Sequence, residues 1–305
     1  MHGLLHGRSQ SAVHRRRVTN RVSLYNLPVR ILLLNLYYPP DTSATATMAA
    51  AFVGPLAAKH QVTVLCGRPS YDPTEKYPWR LLRTDKRSNA TVERVGSTAF
   101  PRFRMGRRVA NYLTYAALAL IRGCTVHADV VLVMTDPPFA GVLGAFVAML
   151  TGRPFVYNIR DLYPDMAVGG DIVKSGFLVR VWERLHRWAL RRAARIIVLG
   201  EDMRDRIVAK GIDPARVAVV RDGVLIPGEL PAASNPVAQE IRGAFRFVAL
   251  HAGNLGFYGA WDTLLNAARR LGNDGLGIIF VGEGAQKNKL TSEANGTHAV
   301  RFLPF

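Results

Sequence analysis

Six short runs that are apolar on both faces recur between Arg30 and Val220: "RILLLNLY", "QVTVLCG", "DVVLVMT", "PFVYNI", "RIIVLG" and "RVAVV". Longer stretches with apolar positions at helical spacing separate them. A strand exposed on one face alternates apolar and polar positions, whereas an apolar run is covered on both, so the pattern predicts a parallel α/β sheet with helices on its two faces. "PPFAGVLGAFVAMLTG", residues 137 to 152, predicts a buried helix with Asp136 as N-cap and Pro137 or Pro138 in the first turn.

The stretch "VRDGVLIPGELPAASNPVAQE" interrupts the rhythm with Gly, Pro, Ala and Ser, as a linker does. A second series follows: strand "FRFVAL", a glycine loop, helix "WDTLLNAARRL", strand "GLGIIFV", loop "GEGAQ", a short helix and strand "HAVRFLPF". The division expected is a basic, disordered tail over 1–29, a Rossmann-like lobe over 30–222, a linker over 223–243 and a partial second lobe over 244–305. Three strands fit after Phe245, against the roughly six of such a lobe.

The first two strands of the second series run into glycines, Gly253/Gly256/Gly259 in "HAGNLGFYGAWDTLL" and Gly282/Gly284 in "GEGAQ". A strand that ends in glycine and opens a helix brings bare backbone N–H groups and the helix dipole to an anion. The spacing matches neither G-x-G-x-x-G nor a P-loop, so a phosphate cradle and a plain turn both remain open. In open α/β sheets ligands bind beyond the carboxyl ends of strands, and the cleft between two lobes is a usual site for a small molecule.

The net charge of +18 and pI near 10.6 imply a polyanionic partner: nucleic acid, an anionic membrane face or a phosphorylated substrate. Nucleic acid is disfavoured, because neither base-stacking aromatics nor a known recognition module is present. Two basic segments stand out, residues 101 to 115 and 179 to 195. In the second, Val181, Leu185, Trp188 and Trp182 mark an apolar side, and Arg180, Arg184, Arg187, Arg191 and Arg192 are basic. A helix so built can lie on an anionic bilayer, or be core-packed with a wet basic face. The segment before residue 29 holds no acid and no continuous apolar core, which excludes a secretory signal; an organellar transit peptide is the alternative to a tail. No run reaches the ~18 uncharged apolar residues of a spanning helix. Two cysteines, Cys66 and Cys124, build neither a disulfide framework nor a zinc cluster and point to a reducing cytoplasm.

The stretches "LYYPPDTSATAT", "TVLCGRPSY", "DPPF", "FVYNIRDLYPDMA", "IVLGEDMRDRI", "AGNLGFYGAWDTLLNAA" and "FVGEGAQ…VRFLPF" together resemble glycosyltransferase family 4, in the branch acting on lipid-linked or cell-envelope glycans. The resemblance runs from Arg30 to Phe305. It implies a GT-B fold of two Rossmann-like lobes, the N-terminal holding the acceptor and the C-terminal a nucleotide sugar, commonly UDP-linked. It further implies retention of configuration, no metal and no cofactor, the nucleotide sugar being substrate; no Asp-x-Asp occurs in the chain. A peripheral place on the inner face of the cell membrane follows.

Three departures accompany the resemblance. Where many members carry Gly-Gly after the first strand, this chain has "DTSATAT"; where many carry basic residues before the helix, it has Phe257 and Tyr258. The family's glutamates seven residues apart do not occur before Phe305, which predicts that the second lobe is incomplete.

Sugar transfer builds positive charge at the anomeric carbon and negative charge on the departing diphosphate. Asp161, at the end of a strand in "NIRDLYPD", is the catalytic candidate, against an ion pair with Arg160; Asp165 is expected to cap a helix. Gly253, Asn254, Gly256, Gly282 and Glu283 are the donor-binding candidates, and Tyr38, Ser43 and Thr45 the acceptor-binding ones. His251 could touch a phosphate or be structural. Two further readings stay open: a non-catalytic basic module derived from such a lobe, and a nucleotide-sugar epimerase on the same fold.

Overall fold

In the computed structural model the described residues are 27–70, 77–100, 105–170, 173–174, 176–223, 232, 234–256, 259–271 and 275–304. The expected tail lies outside them through residue 26, as do Phe257, Tyr258 and part of the expected linker. The chain divides into two compact units. One runs to Pro164 and resumes over Phe177–Arg221; the other takes Asp165–Gly176 and Asp222–Phe305.

The first unit is built on an eight-stranded sheet. In chain order its strands are β1 (Arg30–Leu34), β2 (Gln61–Cys66), β3 (Leu82–Arg87), β4 (Ala90–Val95), β5 (Val130–Val133), β6 (Phe155–Ile159), β7 (Arg195–Val198) and β8 (Val217–Val219). They lie side by side as β3-β4-β2-β1-β5-β6-β7-β8. All pairings are parallel except β3 with β4. Successive residues of β1 feed opposite faces. Leu32 and Leu34 pack under α2 (Met105–Thr125), α3 (Ala140–Thr151) and α5 (Phe177–Arg192); Ile31 and Leu33 pack under α1 (Ala44–Ala57). Helix α3 presses onto β5 because Gly144 has no Cβ, which would lie 2.3 Å from Val133 Cγ2.

The β3–β4 hairpin was not legible. "LRTDKR" and "ATVERV" look like loop, yet β4 is buried along most of its length. Its charges are paired inside: Glu93 accepts from Arg122 at 2.7 Å, and the buried Arg94 meets Asp85 at 3.6 Å, the Cys66 sulfur at 3.3 Å and the Pro39 carbonyl. Ser88 and Asn89 turn the hairpin with φ of 50° and 62°, the two left-handed residues of a type I′ turn.

Three helix expectations need correction. Helix α3 begins at Ala140 with Phe139 as N-cap; Asp136 and both prolines form the turn before it, and the Asp136 carbonyl accepts from the Leu36 N–H at 2.8 Å. Asp165 is the first helical residue of α4 (Asp165–Gly169), not the residue before it. The expected linker contains α7 (Pro236–Arg242), capped by Asn235, whose Oδ1 accepts from the Val237 N–H at 2.9 Å. Asn followed by Pro at N1 is a start signal that the surrounding Gly, Ala and Ser obscured. Between α5 and α7 lies α6 (Glu201–Ala209).

Both cysteines are free. Cys66 is fully buried, and desolvation pushes its thiol up to about 12 despite the Arg94 guanidinium. The thiolate is the nucleophile, so iodoacetamide is expected to alkylate the partly exposed Cys124 in the native protein and to reach Cys66 only on unfolding. Equal labelling rates by peptide mass spectrometry would contradict this burial.

The second unit holds β9 (Phe247–Ala252), α8 (Trp261–Leu271), β10 (Leu276–Val281), α9 (Lys287–Glu293) and β11 (Val300–Leu303). The sheet is parallel, in the order β11-β10-β9. Its register sets His251, Phe280 and Phe302 in one row, with Phe280 and Phe302 stacked at 5.0 Å. Trp261, Leu265 and Leu290 close the core over that row.

Candidate active site

The five donor-binding candidates come together in the second unit. β9 and β10 are neighbours, so the loops leaving their carboxyl ends run side by side, and three backbone hydrogen bonds join them. The Gly253 N–H donates to the Val281 carbonyl, the Leu255 N–H to the Glu283 carbonyl and the Gln286 N–H to the Leu255 carbonyl, each at 2.9 Å. This closeness needs glycine. A Cβ on Gly282 would lie 2.0 Å from the Gly253 carbonyl oxygen, and one on Gly284 2.3 Å from that of Leu255.

The fully buried Leu255 pins the first loop to the core. Trp261, at the start of α8, donates from Nε1 to the Gly256 carbonyl at 2.7 Å. Its ring also meets His251 edge-on at 5.0 Å, and His251 Nε2 is buried without a hydrogen-bond partner among the described residues. The imidazole is therefore boxed by Trp261 and Phe280, which favours its structural role. Asn254 is exposed at the loop tip. Glu283 is exposed too, and its Oε1 accepts from Lys287 Nζ at 2.5 Å, so its charge is largely neutralised one turn on. The part played by Trp261 was missed, because an apolar residue at a helix start looks like ordinary core. That of Lys287 was visible as an i,i+4 pair.

In the first unit, Asp161 lies two residues past the end of β6. Burial raises its carboxyl above the ordinary range, and Arg160 offsets part of that. The loop is fixed by Tyr163, whose ring stacks on Trp182 of α5 at 5.7 Å. The carboxyl ends of β1, β5 and β6 gather buried polar groups: Asn35 Oδ1, Thr135 Oγ1 and Asn158 Oδ1 accept nothing from the described residues. Left unmatched, each such atom costs about 1–3 kcal/mol, so packing alone does not account for this polar edge. It is also where open α/β sheets bind ligands.

The acceptor-binding candidates stand differently. Tyr38 is fully buried in the core under α1. Ser43 is the N-cap of α1, its Oγ accepting from the Ala46 N–H at 3.1 Å, so the hydroxyl is engaged by the helix start. Thr45 is half-buried in the first turn of α1. Among the described residues no cluster of three His, Cys, Asp or Glu could hold a metal ion, and no helix is long and apolar enough to cross a membrane.

Residues 42–223 match the glycosyl transferase 4-like domain. The chain belongs to that family. A curated relative, the probable glycosyltransferase WbjE of Pseudomonas aeruginosa, is 23% identical over 184 residues, which is 58% of this chain and 45% of WbjE. The match thus spans less than half of that relative's length. Among solved structures, Anabaena HepE, in complex with UDP and glucose, superposes with a TM-score of 0.58 at 16% identity over 91% of this chain and 69% of HepE. Sucrose-phosphate synthase of Thermosynechococcus elongatus gives 0.63 at 12% identity, over 90% of this chain and 70% of its own. These likenesses show the fold, which is GT-B.

Proposed function

We propose that this glycosyl transferase 4-like chain moves a sugar from a UDP-linked donor to a lipid-linked or envelope glycan, with retention of configuration and without a metal ion. The observation that carries the donor half is the pair of glycine loops, stitched by three backbone hydrogen bonds at the carboxyl ends of β9 and β10. The stitch uses the Gly253, Leu255 and Gln286 N–H groups, and glycine lets the two loops pack closely enough to offer the remaining backbone of their tips to a diphosphate. Gly253, Asn254, Gly256 and Gly282 form the cradle, with Glu283 at its rim. HepE, which shares the fold, was solved with UDP and glucose, in keeping with this donor.

Asp161 is the proposed catalytic carboxylate. Burial strengthens it as a base toward an acceptor hydroxyl. Tyr38 braces the acceptor side from within the core, while Ser43 and Thr45 set the start of α1 beside it. The retaining course, the glycan acceptor and a peripheral place on the cytoplasmic membrane face rest on the family resemblance.

The test is calorimetric titration with UDP, paired with labelled UDP-sugars and a lipid extract. Saturable UDP binding with label passing into lipid is expected. Absence of UDP binding would remove the donor reading. Label recovered only as an isomerised nucleotide sugar would mark an epimerase.

A further inference from the structure

We infer that Trp79 is a stacking platform for a sugar ring of an extended acceptor glycan, placed at the far end of the sheet edge that holds Asp161. Its side chain is largely in solvent, the residue being 62% exposed, as is Leu81. A lone exposed apolar side chain is ordinary, but this one is fixed in place. Its Nε1 donates to the Gly96 carbonyl at 2.9 Å, and the Gly96 N–H donates to the Leu81 carbonyl at 2.8 Å. The segment lies so close to Gly96 that a Cβ there would stand 2.4 Å from the Arg80 carbonyl oxygen. Two hydrogen bonds and an absent Cβ thus hold residues 79 to 81 against the end of β4 while the indole stays uncovered.

Gly96 follows β4, β4 runs parallel to β2, and β2 to β1, so Trp79 stands at the carboxyl ends of these strands. Asp161 lies past β6 on the same edge. From β4 through β2, β1 and β5 to β6 are four strand spacings, roughly 19 Å at ~4.8 Å each, so an acceptor touching both is several sugar units long. The chemistry of the platform favours a sugar. An indole at a bilayer surface keeps its N–H for water and headgroups, whereas here the N–H is spent on Gly96 and the π-face is what remains on offer. The electron-rich face of an indole attracts the C–H face of a pyranose ring. Arg80, exposed on the next residue, carries N–H donors for sugar hydroxyls. Arg83 is engaged elsewhere, over the Tyr77 ring at 5.1 Å and with Asp85 at 3.2 Å. A platform held rigid beforehand binds with little ordering cost. This deepens the acceptor half of the proposed function and rests on it, since the glycan seated on Trp79 is the one whose end is presented to Asp161.

The experiment reads saccharide binding at the indole itself, with no donor present. The chain has four tryptophans, so isotope labelling of the indole nitrogens gives four N–H signals, and loss of one in Trp79→Tyr identifies that of the platform. Chitotriose, maltotriose and the oligosaccharides freed from a lipid extract by mild acid are titrated in. Saturable movement of the Trp79 signal with at least one of them is expected. Trp79→Ala should weaken binding of that saccharide about tenfold by calorimetry, and Trp79→Tyr by no more than about threefold, because tyrosine restores a π-face without restoring the bond to Gly96. Gly96→Ala keeps the indole but displaces its support, and should weaken binding several-fold. Trp79 is exposed, so its replacements leave the core intact, and circular dichroism checks this. UDP affinity should be the same in both Trp79 variants as in the parent, so this inference and the donor reading can each fail alone. A Trp79 signal that no saccharide moves, or that moves only with phosphatidylglycerol vesicles, would overturn the proposal, as would equal weakening by alanine and tyrosine.

Discussion

Asp161→Asn is expected to lower sugar transfer by about 10²- to 10⁴-fold, the usual worth of a positioned acid–base group, while UDP affinity stays unchanged. The amide keeps the shape of the carboxylate and removes its basicity and charge. The pH profile makes the test specific. Burial raises the Asp161 carboxyl above its ordinary value of 3.8, with Arg160 opposing. Transfer that needs the carboxylate therefore falls on the acid side as pH drops through that raised value. The sign for stability is opposite. An acid whose folded pKa lies above its unfolded one contributes stability that is full below the unfolded value and lost as pH rises through the folded value. The wild type thus gives up stability over that window, and the variant, which cannot ionise, does not. Asp161→Asn should be inactive yet at least as stable at neutral pH by thermal unfolding. Full turnover with the acid limb intact would make Asp161 structural.

What the sequence revealed depends on how each element meets its surroundings. β1, β2 and β5 to β7 lie inside the sheet with helices over them, so their apolar runs announce them, and the short run of β8 marks its edge. β4 is as buried but carries Glu93 and Arg94, tolerated because Arg122 and Asp85 answer them from other elements. A local pattern cannot show partners 29 or 9 positions away. The Ser88–Asn89 turn was the one local sign of the hairpin, and neither residue is the glycine that usually gives such a turn away.

The candidate site divides the same way. Glycines beyond the apolar runs of β9 and β10 identified both loops, since local chain geometry sets their spacing. That the loops are bonded to each other depends on β9 lying beside β10, a tertiary fact. Tyr38 and Ser43 show the converse. Their residue types suit hydroxyl contacts, but Tyr38 faces the core and Ser43 caps a helix, and only the three-dimensional path of the chain assigns those tasks. Helix α5 carries two apolar stripes, through His186 and Leu190 and through Val181 and Leu185. The position of α3 decides which one the sheet buries.

Gly282→Ala should do the most damage to the second unit. The added Cβ would sit 2.0 Å from the Gly253 carbonyl oxygen and 3.0 Å from its carbon, and φ at Gly282 is +146°, where an L side chain is itself strained. A backbone oxygen cannot rotate aside as a side chain does, so the two loops must part. Overpacking and local strain together cost about 3 kcal/mol or more, a large share of a domain's stability. The Gly253 and Leu255 amides, now held by Val281 and Glu283, should then exchange with deuterium far faster, and UDP affinity should drop below detection. Gly284→Ala, with a Cβ 2.3 Å from the Leu255 carbonyl oxygen, should behave alike. Gly54→Ala supplies the control. Gly54 lies inside α1 with nothing within 4 Å of the new methyl, so alanine there should stabilise by about 0.5–1 kcal/mol through helix propensity. If Gly282→Ala instead melts, exchanges and binds UDP as the parent does, the loops are not packed backbone to backbone, and the cradle assigned to the diphosphate loses its basis.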